Sequence, residues 1–281
     1  MTARIVWLAS YPKSGNTWLR FLLDSLLRGG APVDINHVRL PEAHAANRHL
    51  FRSILDVEAS SFDPTTADTL RPVLYRHWVK DRQGLLFSKT HDRYRRVADG
   101  SPLFPADISH GVIHLIRDPR DVAVSLSHQL GLDLGRAADW VCSRPLERIG
   151  PSHDILYAQL PEVIGDWAGH SESWRETPLP RLVVRYEDLV TDPRASLGAV
   201  AGFLQLSPSR DILDAAIGQC RLERLQAQEQ GDGFREASGV RFFRSGRIGQ
   251  GRVTLSAQHL TRIEACLGPE MACHGYEGSG D

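Results

Sequence analysis

Apolar positions along the chain fall into short solid blocks and longer periodic stretches. Ile5-Val6-Trp7-Leu8-Ala9 is an uninterrupted apolar run, which predicts a buried strand. Leu19, Leu22, Leu23, Leu26 and Leu27 then recur at i, i+3, i+4, i+7 and i+8, one face of a helix. Gly29-Gly30 ends that helix. Three more blocks read as parallel strands: Leu85-Leu86-Phe87-Ser88, Val112-Ile113-His114-Leu115-Ile116 and Leu182-Val183-Val184. Helix start signals follow two of them. Asp118-Pro119-Arg120-Asp121 supplies an N-cap, a proline at the first helical position and an acid two residues on. Asp192-Pro193 opens a helix carrying Leu197, Val200, Ala201 and Leu204.

Strand–helix alternation of this kind predicts an α/β fold: a parallel β-sheet flanked by helices, in a single domain over residues 1–281. Ligands of such sheets bind at the carboxyl ends of the strands. Residues 31–83 and 131–177 are less regular and read as helices and loops over that end. Residues 226–241, with Gln-Glu-Gln-Gly-Asp-Gly inside them, read as a mobile loop.

Composition narrows the classes of partner. The 281 residues are 42% hydrophobic and 24% charged with a formal net charge of −1, so nothing global attracts nucleic acid or an acidic membrane surface. Any polyanion site has to be a local cluster. Met1-Thr2-Ala3-Arg4 runs straight into a five-residue apolar block, too short for a signal peptide's apolar region. No run reaches transmembrane length, and a cytoplasmic protein is expected. Cys142, Cys220, Cys266 and Cys273 form no C-x-x-C pair and are expected as reduced thiols. Cys266, Cys273 and His274 fit no standard zinc spacing, and no metal is expected.

The candidate chemistry lies just after the strands. Ser10-Tyr11-Pro12-Lys13-Ser14-Gly15-Asn16-Thr17-Trp18 places a small-residue loop with a lysine between a strand and a helix N-terminus. Backbone N–H groups, the helix dipole and a full charge there make an anion cradle. It is not the Walker arrangement, because Lys13 precedes Gly15 instead of following a second glycine. In Phe87-Ser88-Lys89-Thr90-His91, an extended backbone points Lys89 and His91 the same way. A cation beside an imidazole suits group transfer to a hydroxyl, one holding the anion and the other taking the proton. His114 sits inside an apolar strand and reads as a core residue, whereas His128, three residues past Ser125, could face an acceptor. Arg117 closes a strand and Ser125 lies two turns into the next helix; a guanidinium fork plus a hydroxyl suits a terminal phosphate. Arg120 and Asp121 read as helix-surface and capping residues. Tyr186, in Arg185-Tyr186-Glu187-Asp188, offers a ring with a polar tip to a purine edge, with Trp18 as a second stacking surface.

These clusters together resemble the cytosolic-type sulfotransferases, which use 3′-phosphoadenosine 5′-phosphosulfate (PAPS). Tyr-Pro-Lys-Ser-Gly-x-Thr-Trp resembles that family's 5′-phosphosulfate loop, and Lys-Thr-His the segment carrying its catalytic base. Arg-x-x-x-Asp-Val-x-x-Ser resembles its 3′-phosphate motif, and Tyr-Glu-Asp the segment near its adenine. Residues 244–252 resemble its C-terminal Arg-Lys-Gly-x-x-Gly-x-Trp-Lys motif. Arg244, Gly246 and Gly249 keep their places, while Ser245 replaces Lys, Gly251 replaces Trp and Arg252 replaces Lys; Arg247 could restore the missing charge.

The resemblance implies a P-loop-like sulfotransferase fold and transfer of a sulfuryl group from PAPS to a phenol, alcohol or sugar hydroxyl. His91 becomes the general base, with Lys13 and Lys89 stabilising charge. Lys13, Ser14, Gly15, Asn16, Thr17, Trp18, Arg117, Ser125, Tyr186, Arg244, Ser245 and Gly246 become cofactor contacts. Asn16 in the loop and Leu222-Glu223-Arg224 are similar to sulfotransferases that tailor glycopeptide antibiotics, which implies a bacterial enzyme with a small-molecule acceptor. Oligomeric state stays open, a homodimer among the options. Two rivals stand beside this reading. A P-loop-like phosphotransferase needs a Walker lysine and a metal-binding acid; a non-catalytic nucleotide binder has no use for a base.

Overall fold

The computed structural model describes residues 2–40, 42–56, 63–143, 160, 162–237, 239–276 and 278. Among these, five strands are β1 (Arg4–Ser10), β2 (Glu42–His44), β3 (Leu85–Thr90), β4 (Ser109–Ile116) and β5 (Arg181–Arg185). The helices are α1 (Asn16–Leu27), α2 (Arg48–Leu55), α3 (Pro64–Val79), α4 (Pro119–Leu130), α5 (Leu134–Ser143) and α6 (Trp167–Arg175). They continue with α7 (Tyr186–Thr191), α8 (Pro193–Phe203), α9 (Arg210–Gln219), α10 (Leu222–Asp232), α11 (Gln250–Thr254) and α12 (Ala257–Cys273). The sheet order is β2-β3-β1-β4-β5. Strand β3 pairs in parallel with β1, from Arg4 opposite Leu85 to Ala9 opposite Thr90, and with β2 on its other edge. The α/β class with a parallel sheet flanked by helices is therefore as the alternation predicts. The sequence pattern does not single out the three-residue strand β2. Lys89 and Thr90 belong to β3, which runs two residues further than its apolar block.

The chain divides into two compact units. The first comprises residues 1–11, 41–114 and 143–181, and its core is aromatic. Trp7 and Trp174 are fully buried, and Trp7 meets the rings of Tyr75 and Phe104 edge-on at 5.0 and 4.9 Å. Each such side chain contributes roughly 1.5–3 kcal/mol through burial alone. The Trp7 indole N–H donates to Ser109 Oγ at 2.7 Å, so its polar edge is satisfied inside the core. An ion-pair network built on the fully buried Arg71 and Asp92 lies beyond the end of β3. Arg71 donates to Asp92 at 2.7 Å and to Asp68 at 3.1 Å, and Arg95 reaches both acids. Burial pushes the Asp92 carboxyl up, and the Arg71 guanidinium pulls against it.

The second unit comprises residues 12–40, 115–142 and 182–281. Asp118 caps α4 through the Arg120 N–H at 2.9 Å, and Asp192 caps α8 through the Ala195 N–H at 3.0 Å, as their Asp-Pro pairs predict. Two expectations change here. Residues 226–232 are not loop: α10 runs to Asp232 and is tied down by its polar side chains. Glu229 accepts the Phe242 and Phe243 N–H groups at 2.6 and 3.0 Å, and Gln226 donates to the carbonyls of Phe243 and Arg244. Nor does Arg120 lie on the helix surface. It is 1% exposed and forms ion pairs with Asp118 at 2.7 Å and Glu264 at 3.0 Å. Buried charge survives there because both partners are carboxylates with good geometry.

Candidate active site

In the second unit, the loop before α1 carries two left-handed backbone positions, Lys13 at φ 69° and Gly15 at φ 100°. The first costs strain for a residue with a Cβ, and such strain collects at functional sites. Gly15 is required twice over. Its φ is left-handed, and a Cβ there would stand 2.6 Å from Tyr186 Cδ2. Helix α1 starts at Asn16 with no side-chain cap, which leaves its first N–H groups to bind an anion. Ser14 Oγ is buried with no hydrogen-bond partner among the described residues, an orphan that a phosphate oxygen would satisfy. Thr17 is buried beside it.

The lysine side chain is held. Lys13 Nζ donates to Gln129 Oε1 at 3.1 Å and lies 4.5 Å from the centre of the Phe242 ring. Neither partner carries a sequence signal for this role; Gln129 follows Ser125 by one helical turn.

Arg117 joins the loops. Its guanidinium donates to the Lys13 carbonyl at 3.2 Å and the Arg247 carbonyl at 3.1 Å, lies 3.7 Å from Asp121, and covers the Tyr186 ring at 4.3 Å. Tyr186 packs over Gly15 and spends its hydroxyl on the Gly246 carbonyl at 3.0 Å. Trp18 meets it edge-on at 5.9 Å, while its own indole N–H donates to the Cys220 carbonyl at 2.9 Å. Ser125 is partly exposed on α4, and His128 is exposed on the same helix. Slight burial and the Arg244 charge hold His128 below its ordinary pKa.

Residues 244–251 are fixed from α4. Asp121 accepts the Gly249 N–H at 2.9 Å and the Gly251 N–H at 2.6 Å. Its cap thus serves the start of α11, a role that its place in α4 does not reveal. Gly251 has no room for a side chain: a Cβ there would sit 2.4 Å from the Arg120 carbonyl carbon. Arg244 and Ser245 both donate to Gln250 Oε1, at 2.9 and 3.2 Å. Burial, then the Arg117 charge, lowers the Arg244 pKa. Arg247 is exposed and offers its backbone carbonyl to Arg117.

In the first unit, Lys89 is the last but one residue of β3 and is partly exposed, as is His91 just after the strand. His91 Nδ1 lies 2.7 Å from the Ser10 carbonyl oxygen and 3.3 Å from Ser10 Oγ. A carbonyl only accepts, so Nδ1 carries the hydrogen, and neutral His91 has its lone pair on Nε2. The His91 backbone N–H donates to Glu162 at 2.7 Å, which fixes the segment. His170 is fully buried, edge-on to Tyr11 at 5.7 Å and near His114 at 5.9 Å. Burial, with the charges of His114, His91 and Arg93, pushes its pKa well down, so it stays neutral. His114 is 1% exposed, a core residue as its strand position predicts. Among the described residues no helix is long and apolar enough to cross a membrane.

Comparison with known proteins gives one consistent picture. The sulfotransferase domain family matches residues 4–275. Cytosolic sulfotransferase 8 of Arabidopsis thaliana is 25% identical over 288 residues, covering 96% of this chain and 77% of that protein. Retinol dehydratase, solved with androsterone and the inactive cofactor PAP, superposes with a TM-score of 0.60 at 18% identity, over 95% of this chain and 80% of that one. Mouse sulfotransferase SULT7A1, solved with PAP, gives a TM-score of 0.60 at 14% identity, over 96% and 85%. At these identities the two structures speak for the fold.

Proposed function

Because the chain belongs to the sulfotransferase domain family, we propose that it transfers the sulfuryl group of PAPS to a hydroxyl of a small molecule, with His91 as the base. The product pair is a sulfate ester and 3′-phosphoadenosine 5′-phosphate (PAP). Residues 1–281 act as one sulfotransferase domain on this reading, in keeping with the span of the family match.

The observation that carries the reading is the 2.7 Å contact of His91 Nδ1 with the Ser10 carbonyl oxygen. The Ser10 carbonyl holds the hydrogen on Nδ1, so Nε2 is the atom that takes the acceptor's proton. The acceptor oxygen then forms the new bond to sulfur as the bond from sulfur to the bridging phosphate oxygen breaks. Such in-line transfer depends on positioning and on neutralising charge at the leaving oxygen. Lys13 serves the leaving phosphate and Lys89 the sulfuryl oxygens. Ser14 Oγ and the N–H groups from Ser14 to Thr17 hold the 5′-phosphate, an assignment supported by the buried, unpartnered Ser14 hydroxyl and the uncapped start of α1. Arg117, Ser125, Arg244 and Ser245 hold the 3′-phosphate, which the crowded guanidiniums of Arg117 and Arg244 favour. Tyr186 and Trp18 frame the adenine.

Replacing His91 with alanine tests the role. Turnover of a phenol with PAPS is expected to fall by about two to four orders of magnitude, with PAP affinity unchanged. Turnover near the wild-type rate removes His91 from the base role.

A further inference from the structure

We propose that Arg93 anchors an anionic group of the acceptor, so that the preferred acceptor is a hydroxy acid, a compound bearing a carboxylate as well as the hydroxyl that is sulfated. The inference rests on the reading of His91 as the base.

The alternation of β3 does not stop with the strand. Ser88, Thr90 and Asp92 are 0–1% exposed, whereas Lys89, His91 and Arg93 are all partly exposed. The period of two thus carries Arg93 onto the face that holds Lys89 and His91. At the rise of an extended chain, the Arg93 and His91 backbones lie about 7 Å apart.

The buried side fixes this segment. The Asp92 carboxylate binds Arg71, Arg95 and the Val163 N–H, and the Arg93 N–H donates to the Val163 carbonyl at 2.8 Å.

The charge of Arg93 stands apart from its neighbours. Arg71 and Arg95 share Asp68 and Asp92, and Arg96 donates to the Gly100 carbonyl. The Arg93 guanidinium meets no carboxylate among the described residues. Its Cδ and one terminal nitrogen instead lie beside Gly165, where an added Cβ would stand 4.0 Å from Cδ and 3.8 Å from Nη1. Its charge, like that of His91, adds to the burial that holds the His170 pKa down. A guanidinium with two parallel donors, carried on the face of the base and meeting no carboxylate among the described residues, suits a planar carboxylate bidentately.

The test uses the protein saturated with PAP and calorimetric titration of 4-hydroxyphenylacetate beside its neutral methyl ester. The wild type is expected to bind the acid more tightly than the ester. Arg93→Ala is expected to weaken the acid about tenfold or more and leave the ester unchanged, since a hydrogen bond to a charged group is lost for one ligand only. Arg93→Lys, a point charge without the fork, is expected to recover part of the loss. PAP affinity should be the same in all three proteins, which separates a local effect from misfolding. Equal binding of acid and ester, no binding of the acid, or equal losses for both ligands in Arg93→Ala overturns the anchor while leaving the sulfotransferase reading intact. Failure of PAP to bind the wild type overturns that reading and the anchor with it.

Discussion

Replacing Gly251 with alanine probes the join between α4 and the loop at 244–249. The added Cβ would stand 2.4 Å from the Arg120 carbonyl carbon, 2.5 Å from its Cβ and 2.7 Å from its oxygen, where ordinary contact begins at 3.4 Å. Two of these three atoms are backbone in a capped, ion-paired helix start, so α11 has to move instead. A shift of about 1 Å restores ordinary contact. It also stretches the Asp121 bonds to the Gly249 and Gly251 N–H groups, now 2.9 and 2.6 Å, out of hydrogen-bonding range. Overpacking costs roughly 1–3 kcal/mol and each of the two lost bonds to the carboxylate adds roughly 1.5 kcal/mol, so a loss of about 4–6 kcal/mol is expected. For a chain of this size that lowers the melting temperature by roughly 10–20 °C. Displaced loop residues also weaken PAP by about tenfold. Gly249→Ala is the control. It has φ +75° and nothing within 4 Å of an added Cβ, so backbone strain of about 1–2 kcal/mol is its whole cost. Scanning calorimetry and PAP titration decide. A Gly251→Ala protein that melts and binds like the wild type, or that is hurt less than Gly249→Ala, refutes the reasoning.

Lys13→Ala should cost roughly two or more orders of magnitude in turnover, the scale of losing one charge-stabilising donor; steady-state rates near the wild type remove it from the leaving-group role. His170 gives a pH prediction. Burial holds it neutral in the fold, whereas the unfolded chain takes up a proton below about pH 6.5. Stability from this group is therefore complete above that pH and lost as pH falls through it, by about 1.4 kcal/mol between pH 7.5 and 5.5. Urea unfolding of wild type and His170→Leu should show that difference in slope, and parallel pH profiles count against it.

The repeated strand blocks made most of the sheet legible, because a buried parallel strand is a solid apolar run wherever it occurs. Both Asp-Pro helix starts were legible for the same local reason: cap and proline act within one turn. Residues 226–232 were misread as loop because their glutamines and glycine look solvated. What holds them are contacts from Glu229 and Gln226 to backbone 13 to 18 residues away, which no local pattern encodes. Arg120 was misplaced similarly, since its acid Glu264 lies on α12. Within the candidate site, motif residues announced themselves by spacing. Gln129, Phe242 and the reach of Asp121 to α11 did not, because each acts through a contact distant in sequence.

On the proposed function, the loop at 12–18 and the arginines at 117 and 244 form a site for a 3′-phosphorylated adenine nucleotide. Calorimetric titration of the wild type with PAP, beside ADP and AMP and without added metal, tests it most directly. The account predicts saturable PAP binding at least about tenfold tighter than ADP, from the charge-assisted bonds that only the 3′-phosphate makes. Equal affinity for PAP and ADP, or binding of ADP or ATP only with magnesium, contradicts it.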